Sequence, residues 1–164
     1  MNSTSTTTYD VGPEQEPVTF RRARADDRSP VIELVFDTLR SFDIEPDPRG
    51  LDADVMEFGS ADPAMAEFVG ERGGTVVGSI ALRDRGDGTG HISKFFVRES
   101  VRGLGIGRVL LELAVEEART RELRRLDLST RSQFHAAVHL YESTGWKRGP
   151  DPTEACDRAY ELEL

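Results

Sequence analysis

Between Val97 and Arg108 the chain runs Val97-Arg98-Glu99-Ser100-Val101-Arg102-Gly103-Leu104-Gly105-Ile106-Gly107-Arg108, three alternate glycines between two arginines. Residues 90–97 before it read as a strand. After it, Ile106, Val109, Leu110, Leu113, Ala114 and Ala118 recur at helical spacing. A glycine-rich turn that opens a helix leaves the first helical N–H groups without intrahelical partners. The helix dipole adds partial positive charge at the same end. Glycine lets the backbone come close to a ligand with no Cβ in the way. Together these make an anion site, and phosphate is its usual guest. Arg102 and Arg108 can add charge-assisted hydrogen bonds. A ligand-free helix entry is the bland alternative, but each glycine costs up to about 1 kcal/mol relative to alanine inside a helix. The two common nucleotide motifs fit poorly. The spacing is G-x-G-x-G rather than G-x-G-x-x-G, and no G-x-x-x-x-G-K-[ST] is present.

The rest of the chain reads as one mixed α/β layer structure. Residues 1–16 are polar and rich in Ser and Thr, and are expected to form a disordered tail; residues 17–164 form a single domain. Residues 18–23 alternate as a strand does, and Asp26, Asp27, Ser29 and Pro30 signal a helix start that continues to Arg40. A loop with two prolines follows at 43–49, then a short helix at 51–58. Residues 68–82 form a β-hairpin about Gly73-Gly74. Downstream of the glycine-rich segment come a strand at 126–129, a helix at 134–142 and closing strands at 146–148 and 159–164.

The chain has 164 residues, enough for one core. Its net charge of −9 argues against nucleic-acid binding and suits a cationic partner. No apolar run approaches membrane-spanning length, and the N-terminus lacks the pattern of a secretory signal. The single cysteine, Cys156, excludes an internal disulfide and suits a reducing compartment, so the expected location is cytoplasmic. His135 and His139 stand four apart on the expected helix, but Ala136 replaces the glutamate of H-E-x-x-H and no third ligand is evident, so no metal is expected.

The glycine-rich segment resembles the signature of the GNAT superfamily of acyl-CoA-dependent N-acetyltransferases, Q/R-x-x-G-x-G/A after a strand. Arg102, Gly105 and Gly107 match it, and Val97 stands where that family usually ends its central strand. A second motif, A-x-x-L-Y-E-x-x-G-F, is matched by Ala137, Leu140, Tyr141, Glu142 and Gly145, with Trp146 for the phenylalanine. The resemblance runs from Val18 to Leu164. It implies an α/β fold: a mostly antiparallel sheet of six to seven strands, splayed between two central parallel strands, with helices on both faces. It implies acetyl-CoA as cosubstrate, with Phe95, Phe96 and Val97 pairing with the pantetheine arm as an added strand. The amides of Gly103, Leu104, Gly105, Ile106, Gly107 and Arg108 would hold the pyrophosphate, helped by Arg102. The family is an acyltransferase family, and relatives often form homodimers.

Acyl transfer from a thioester to an amine needs a neutral amine, a held carbonyl, an oxyanion donor and a proton for the leaving thiolate. Tyr141 stands at the family's general-acid position. An N–H near Phe96 or Val97 is the expected oxyanion donor. His91 occupies the position where many relatives carry a glutamate, and histidine suits a base; a plain surface histidine, Glu99 and a water relay remain alternatives. Phe134 replaces an asparagine common seven residues before the tyrosine, which offers an apolar wall. The five acids between Asp43 and Asp54 form a solvated loop or draw in a cationic amine. The expected reaction is acetylation of a primary amine on a small or amino-acid-like acceptor. A peptide or protein N-acetyltransferase and a non-catalytic acyl-CoA sensor are the alternatives.

Overall fold

The computed structural model describes residues 7–9, 16–152 and 155–164. Eight strands form one sheet: β1 (Thr7–Tyr9), β2 (Val18–Arg22), β3 (Met65–Arg72), β4 (Thr75–Asp84), β5 (Thr89–Val97), β6 (Arg125–Thr130), β7 (Lys147–Arg148) and β8 (Arg158–Glu163). Their spatial order is β1-β2-β3-β4-β5-β6-β8-β7, and among the described residues only β5 and β6 run parallel. Three helices are α1 (Arg28–Ser41), α2 (Ile106–Thr120) and α3 (His135–Ser143). Strands β2 to β8 make up the expected sheet. The added strand β1 lies within the segment read as a disordered tail, and its pairing with β2 (Thr7↔Phe20, Tyr9↔Val18) corrects that reading for those three residues. The rest of residues 1–15 lies outside the described residues. The short helix expected at 51–58 is a 3-10 turn, Ala53–Glu57.

Alternation in β3 and β4 separates the two helical layers. Phe68, Ile80 and Leu82 pack with Ile106, Leu110 and Ala114 of α2, while Val69 and Ala81 pack with Val31, Leu34 and Val35 of α1. Residues one apart on a strand face opposite sides, so the two helices cover opposite faces. In β5 the register slips: Ala81 pairs with Ser93 and Ser79 with Phe96, which puts one extra residue on β5. Lys94 takes up the slip with φ 51°, and the side-chain parity changes across it. Ile92 before the bulge and Phe95 and Val97 after it therefore all face the α2 side, and Phe96 turns to the α1 side.

At the start of α1, the carboxylate of Asp27 accepts from Arg21 Nη1 at 2.7 Å, Arg21 Nη2 at 2.9 Å and the Arg24 N–H at 2.7 Å. Both charged side chains are nearly fully buried. Burial disfavours the charge on Asp27, but the hydrogen bonds from Arg21 and Arg24 outweigh it and hold the carboxyl below its ordinary range. Removing the carboxylate leaves the nearly buried Arg21 with only one carboxylate partner, Glu71, whose Oε2 accepts from its Nε at 3.1 Å, so Asp27→Asn should lower stability at pH 7 by about 2 kcal/mol in urea unfolding. Because the folded-state pKa is depressed, the contribution is whole above the unfolded value of about 3.9 and fades as pH falls through the folded one. The gap between wild type and variant should narrow below about pH 4. A gap that stays constant down to pH 3 would contradict the assignment.

Candidate active site

Strands β5 and β6 pair only at Thr89↔Arg125, Gly90↔Leu126 and His91↔Asp127. Beyond that point β5 remains on β4, β6 remains on β8, and the two part. The wedge opens into a cavity of about 1050 Å³ lined by the second halves of both strands, the glycine-rich turn and one side of α3. His91 and Asp127 are the last residues the two strands hold together.

The free edge of β5 carries backbone groups into the wedge. The Arg98 N–H donates to Val77 O at 2.8 Å, so by antiparallel alternation Phe96 also turns its N–H and C=O to β4. Val97 turns its own the other way, and its carbonyl accepts from Arg102 Nε at 3.2 Å. The three-residue stretch Phe95, Phe96 and Val97 is thus corrected at Phe96, whose polar backbone is used in the sheet although its ring lines the cavity.

The turn that follows is built for a close ligand. Gly103 (φ 83°) and Gly105 (φ 81°) adopt left-handed conformations, and Gly105 caps α2. A Cβ at either would meet no protein atom within 4 Å, so the glycines border open space. A Cβ at Gly107, one residue into the helix, would lie 3.3 Å from Phe95 Cζ and 3.6 Å from Leu140 Cδ2, at the cavity wall. Arg102, Gly103, Gly105, Ile106, Gly107 and Arg108 line the cavity; the Leu104 side chain packs on the core instead. Arg102 also lies over the Phe42 ring, 5.7 Å from its centroid, which ties the turn to the end of α1.

Tyr141 lines the same cavity from α3 and is 3% exposed. Its ring packs among Phe95, Trp146 and Tyr160 at centroid distances of 6.1, 5.7 and 5.4 Å. Burial, with the nearby Tyr160, holds its phenol well above the ordinary range. No hydrogen bond engages the hydroxyl among the described residues, and no buried polar side-chain atom there lacks a partner, so the hydroxyl reaches the cavity. Tyr160, by contrast, donates to Glu142 Oε1 at 2.7 Å.

His91 borders the cavity from the vertex of the wedge. Its Nδ1 lies 2.6 Å from Asp127 Oδ1. Asp127 is also held by both terminal nitrogens of Arg85, Nη2 at 2.9 Å from Oδ1. Burial opposes charge on Asp127, yet the hydrogen bonds from Arg85 and His91 prevail and hold its carboxyl below the ordinary range. A carboxylate on Nδ1 fixes the ring and leaves Nε2 as the nitrogen available to a substrate. Sequence reasoning did not find Asp127 or Arg85. The only signal was a lone polar residue between Leu126 and Leu128, and its meaning depends on the strand register.

The remaining expectations separate by location. Phe134 faces Phe42 at 4.8 Å and Phe96 at 6.3 Å, forming the expected apolar wall. Among the five acids of 43–54, Asp52 and Asp54 border the cavity and Asp43, Glu45 and Asp47 do not. Glu99 lies outside the cavity lining. His135 and His139 are exposed at its rim, and among the described residues no three potential ligands gather as a metal site. No helix among them is long and apolar enough to cross a membrane.

Known proteins share this fold. The structure of a GNAT-family acetyltransferase from Staphylococcus aureus Mu50 superposes with a TM-score of 0.80 at 20% identity, covering 90% of this chain and 99% of that one. The PaiA N-acetyltransferase of Thermoplasma acidophilum, solved in complex with coenzyme A, gives 0.72 at 14% identity over 90% and 99% of the two chains. At those identities the likeness concerns the fold. In sequence, the chain is 39% identical over 92 residues to an IAA acetyltransferase of Azospirillum brasilense, a match spanning 55% of this chain and 60% of the relative. The model of the Acetyltransferase (GNAT) family matches residues 32–146, which include the cavity's turn, both parallel strands and Tyr141. With that match covering most of the folded part and the wedge in place, the chain belongs to the GNAT acetyltransferase family.

Proposed function

We propose that the protein transfers an acetyl group from acetyl-CoA to a primary amine of a small or amino-acid-like acceptor by direct attack within a ternary complex. The observation that carries this reading is the wedge itself, where an unpaired β-edge, a glycine-rich helix start and a cavity-lining tyrosine border one cavity. These features fit coenzyme A. The edge of β5 that β6 leaves unpaired beyond His91 can take a pantetheine amide as an added strand, and the open space over Gly103 and Gly105 can take a pyrophosphate. Acetyl-CoA supplies the activated acyl group when bound.

The side chains then divide the proton work. The Tyr141 hydroxyl gives its proton to the departing sulfur and recovers one as the newly acylated nitrogen sheds its own. The Val97 N–H, the outward-facing one of the two expected donors, faces the developing oxyanion. His91 takes a proton from the incoming ammonium at Nε2, while Asp127 stabilises the imidazolium that results. Asp127, itself held by Arg85, orients rather than reacts.

The test is release of the coenzyme A thiol from acetyl-CoA in the presence of primary amines. His91→Ala should lower kcat/KM by about a hundredfold at pH 7. At pH 9 the loss should shrink, because an alkylamine with a pKa near 10 then supplies more of its own neutral form. A loss that does not change with pH would remove His91 from proton transfer. Binding of acetyl-CoA without turnover of any amine would favour the acyl-CoA sensor.

A further inference from the structure

We propose that the acceptor carries a carboxylate as well as its amine, and that the Lys94 ammonium binds that carboxylate. This inference rests on the acyltransfer reading and names the class of acceptor.

Lys94 sits at the bulge of β5, where its left-handed backbone departs from the strand's alternation. Its side chain is only 8% exposed. Within the described residues Nζ has one ionic partner, Asp54 Oδ2 at 3.6 Å, beyond hydrogen-bond reach and on a side chain that is 59% exposed. No buried side-chain nitrogen there lacks a hydrogen-bond partner. Nζ, which has none, is therefore not sealed in protein but reaches the cavity that Lys94 and Asp54 both line. A nearly buried ammonium with no acceptor is costly unless something completes its shell.

The nearest buried acid does not complete it. Glu67 accepts the Gly59 N–H at 3.0 Å, and burial raises its pKa against the combined pull of Lys94, Arg28 and Arg83. Arg28 and Arg83 act on the same carboxylate, so Glu67 is not the partner of Lys94 alone. The rings of Phe96 and Phe134 also line the cavity and offer no acceptor. A carboxylate entering here would gain a charge-assisted hydrogen bond and displace the longer contact to the exposed Asp54. His91 lies three residues back along β5, so one acceptor can present its amine to His91 and its carboxylate to Lys94. The half-buried Asp52 and the exposed Asp54, which also line the cavity, suit the ammonium end.

The experiment measures coenzyme A release with glycine, β-alanine, 4-aminobutyrate, 6-aminohexanoate and L-phenylalanine, each beside its primary amide. For the best amine, wild type should favour the carboxylate over the amide by about tenfold to a hundredfold in kcat/KM. Lys94→Met should bring that ratio close to one, and Lys94→Arg should restore part of it. In parallel, the melting temperature of the coenzyme A-saturated protein is followed as the same carboxylates are added. They should raise it for wild type and not for Lys94→Met. A wild-type ratio near one overturns the inference without any variant. So does a Lys94→Met protein that loses carboxylate and amide alike, or that loses acetyl-CoA affinity instead. If acetyl-CoA binds and no amine turns over, the acyltransfer reading fails, and the melting shifts alone decide whether Lys94 holds a carboxylate.

Discussion

Gly107→Glu should raise the acetyl-CoA dissociation constant by about a hundredfold or more while lowering the melting temperature by only a few degrees, about what 1 kcal/mol produces in a domain of this size. The two effects separate because one charge acts on two partners with opposite sign. An acid in the first turn of α2 complements the helix dipole, so the helix itself is not harmed. The same carboxylate would stand where a pyrophosphate is expected. Two unit charges about 5 Å apart at an effective dielectric of 20 repel by about 3 kcal/mol, already more than a hundredfold in affinity. The steric load is small: the new Cβ would meet Phe95 Cζ at 3.3 Å and Leu140 Cδ2 at 3.6 Å, both ends of side chains that can shift. Position 107 is also a cleaner choice than 105, where φ 81° would strain any side chain and blur the reading. Isothermal titration of both proteins decides the matter. A dissociation constant within threefold of wild type would move the pyrophosphate away from this turn.

Tyr141→Phe should lower kcat by about a hundredfold, with acetyl-CoA affinity within about threefold and an unchanged or slightly raised melting temperature. The ring would keep its packing against Phe95, Trp146 and Tyr160, so the binding wall survives. The lost hydroxyl bonds to no protein group among the described residues, so the fold loses nothing by its removal. Burial keeps the phenol protonated across the working range, as a donor requires, and no fall in kcat below pH 10 should trace to Tyr141. A hydroxyl with a structural role would show the reverse: a lower melting temperature with kcat little changed. Equal loss of kcat and of acetyl-CoA affinity would mean that the tyrosine serves the pocket and not the leaving group.

The turn from Arg102 to Arg108 and the helix after it were legible residue by residue. Glycine spacing, flanking arginines and a 3.6-residue apolar period are local properties, and local backbone physics responds to them directly. The same holds for the hairpin about Gly73-Gly74, where Arg72 pairs with Thr75 across a two-residue turn. Tyr141 was legible for a different reason, since the motif around it resembles a family pattern. The strand β1 was missed because a three-residue polar segment has no periodicity of its own and takes its conformation from the edge of β2.

What the sequence by itself determined is therefore most of the elements, the glycine-rich turn that opens α2 and the tyrosine motif of α3. The tertiary structure alone decided three things. It brought Asp127 and Arg85 to His91, because the parallel pairing His91↔Asp127 joins residues 36 apart and no local pattern encodes a register between distant strands. It assigned Val97 rather than Phe96 to the wedge, because the direction of an N–H depends on which neighbour the strand has already bonded. And it left Lys94 nearly buried at a cavity wall, because a one-residue bulge changes which side of the sheet each later side chain faces, and that slip exists only once β4 and β5 are paired.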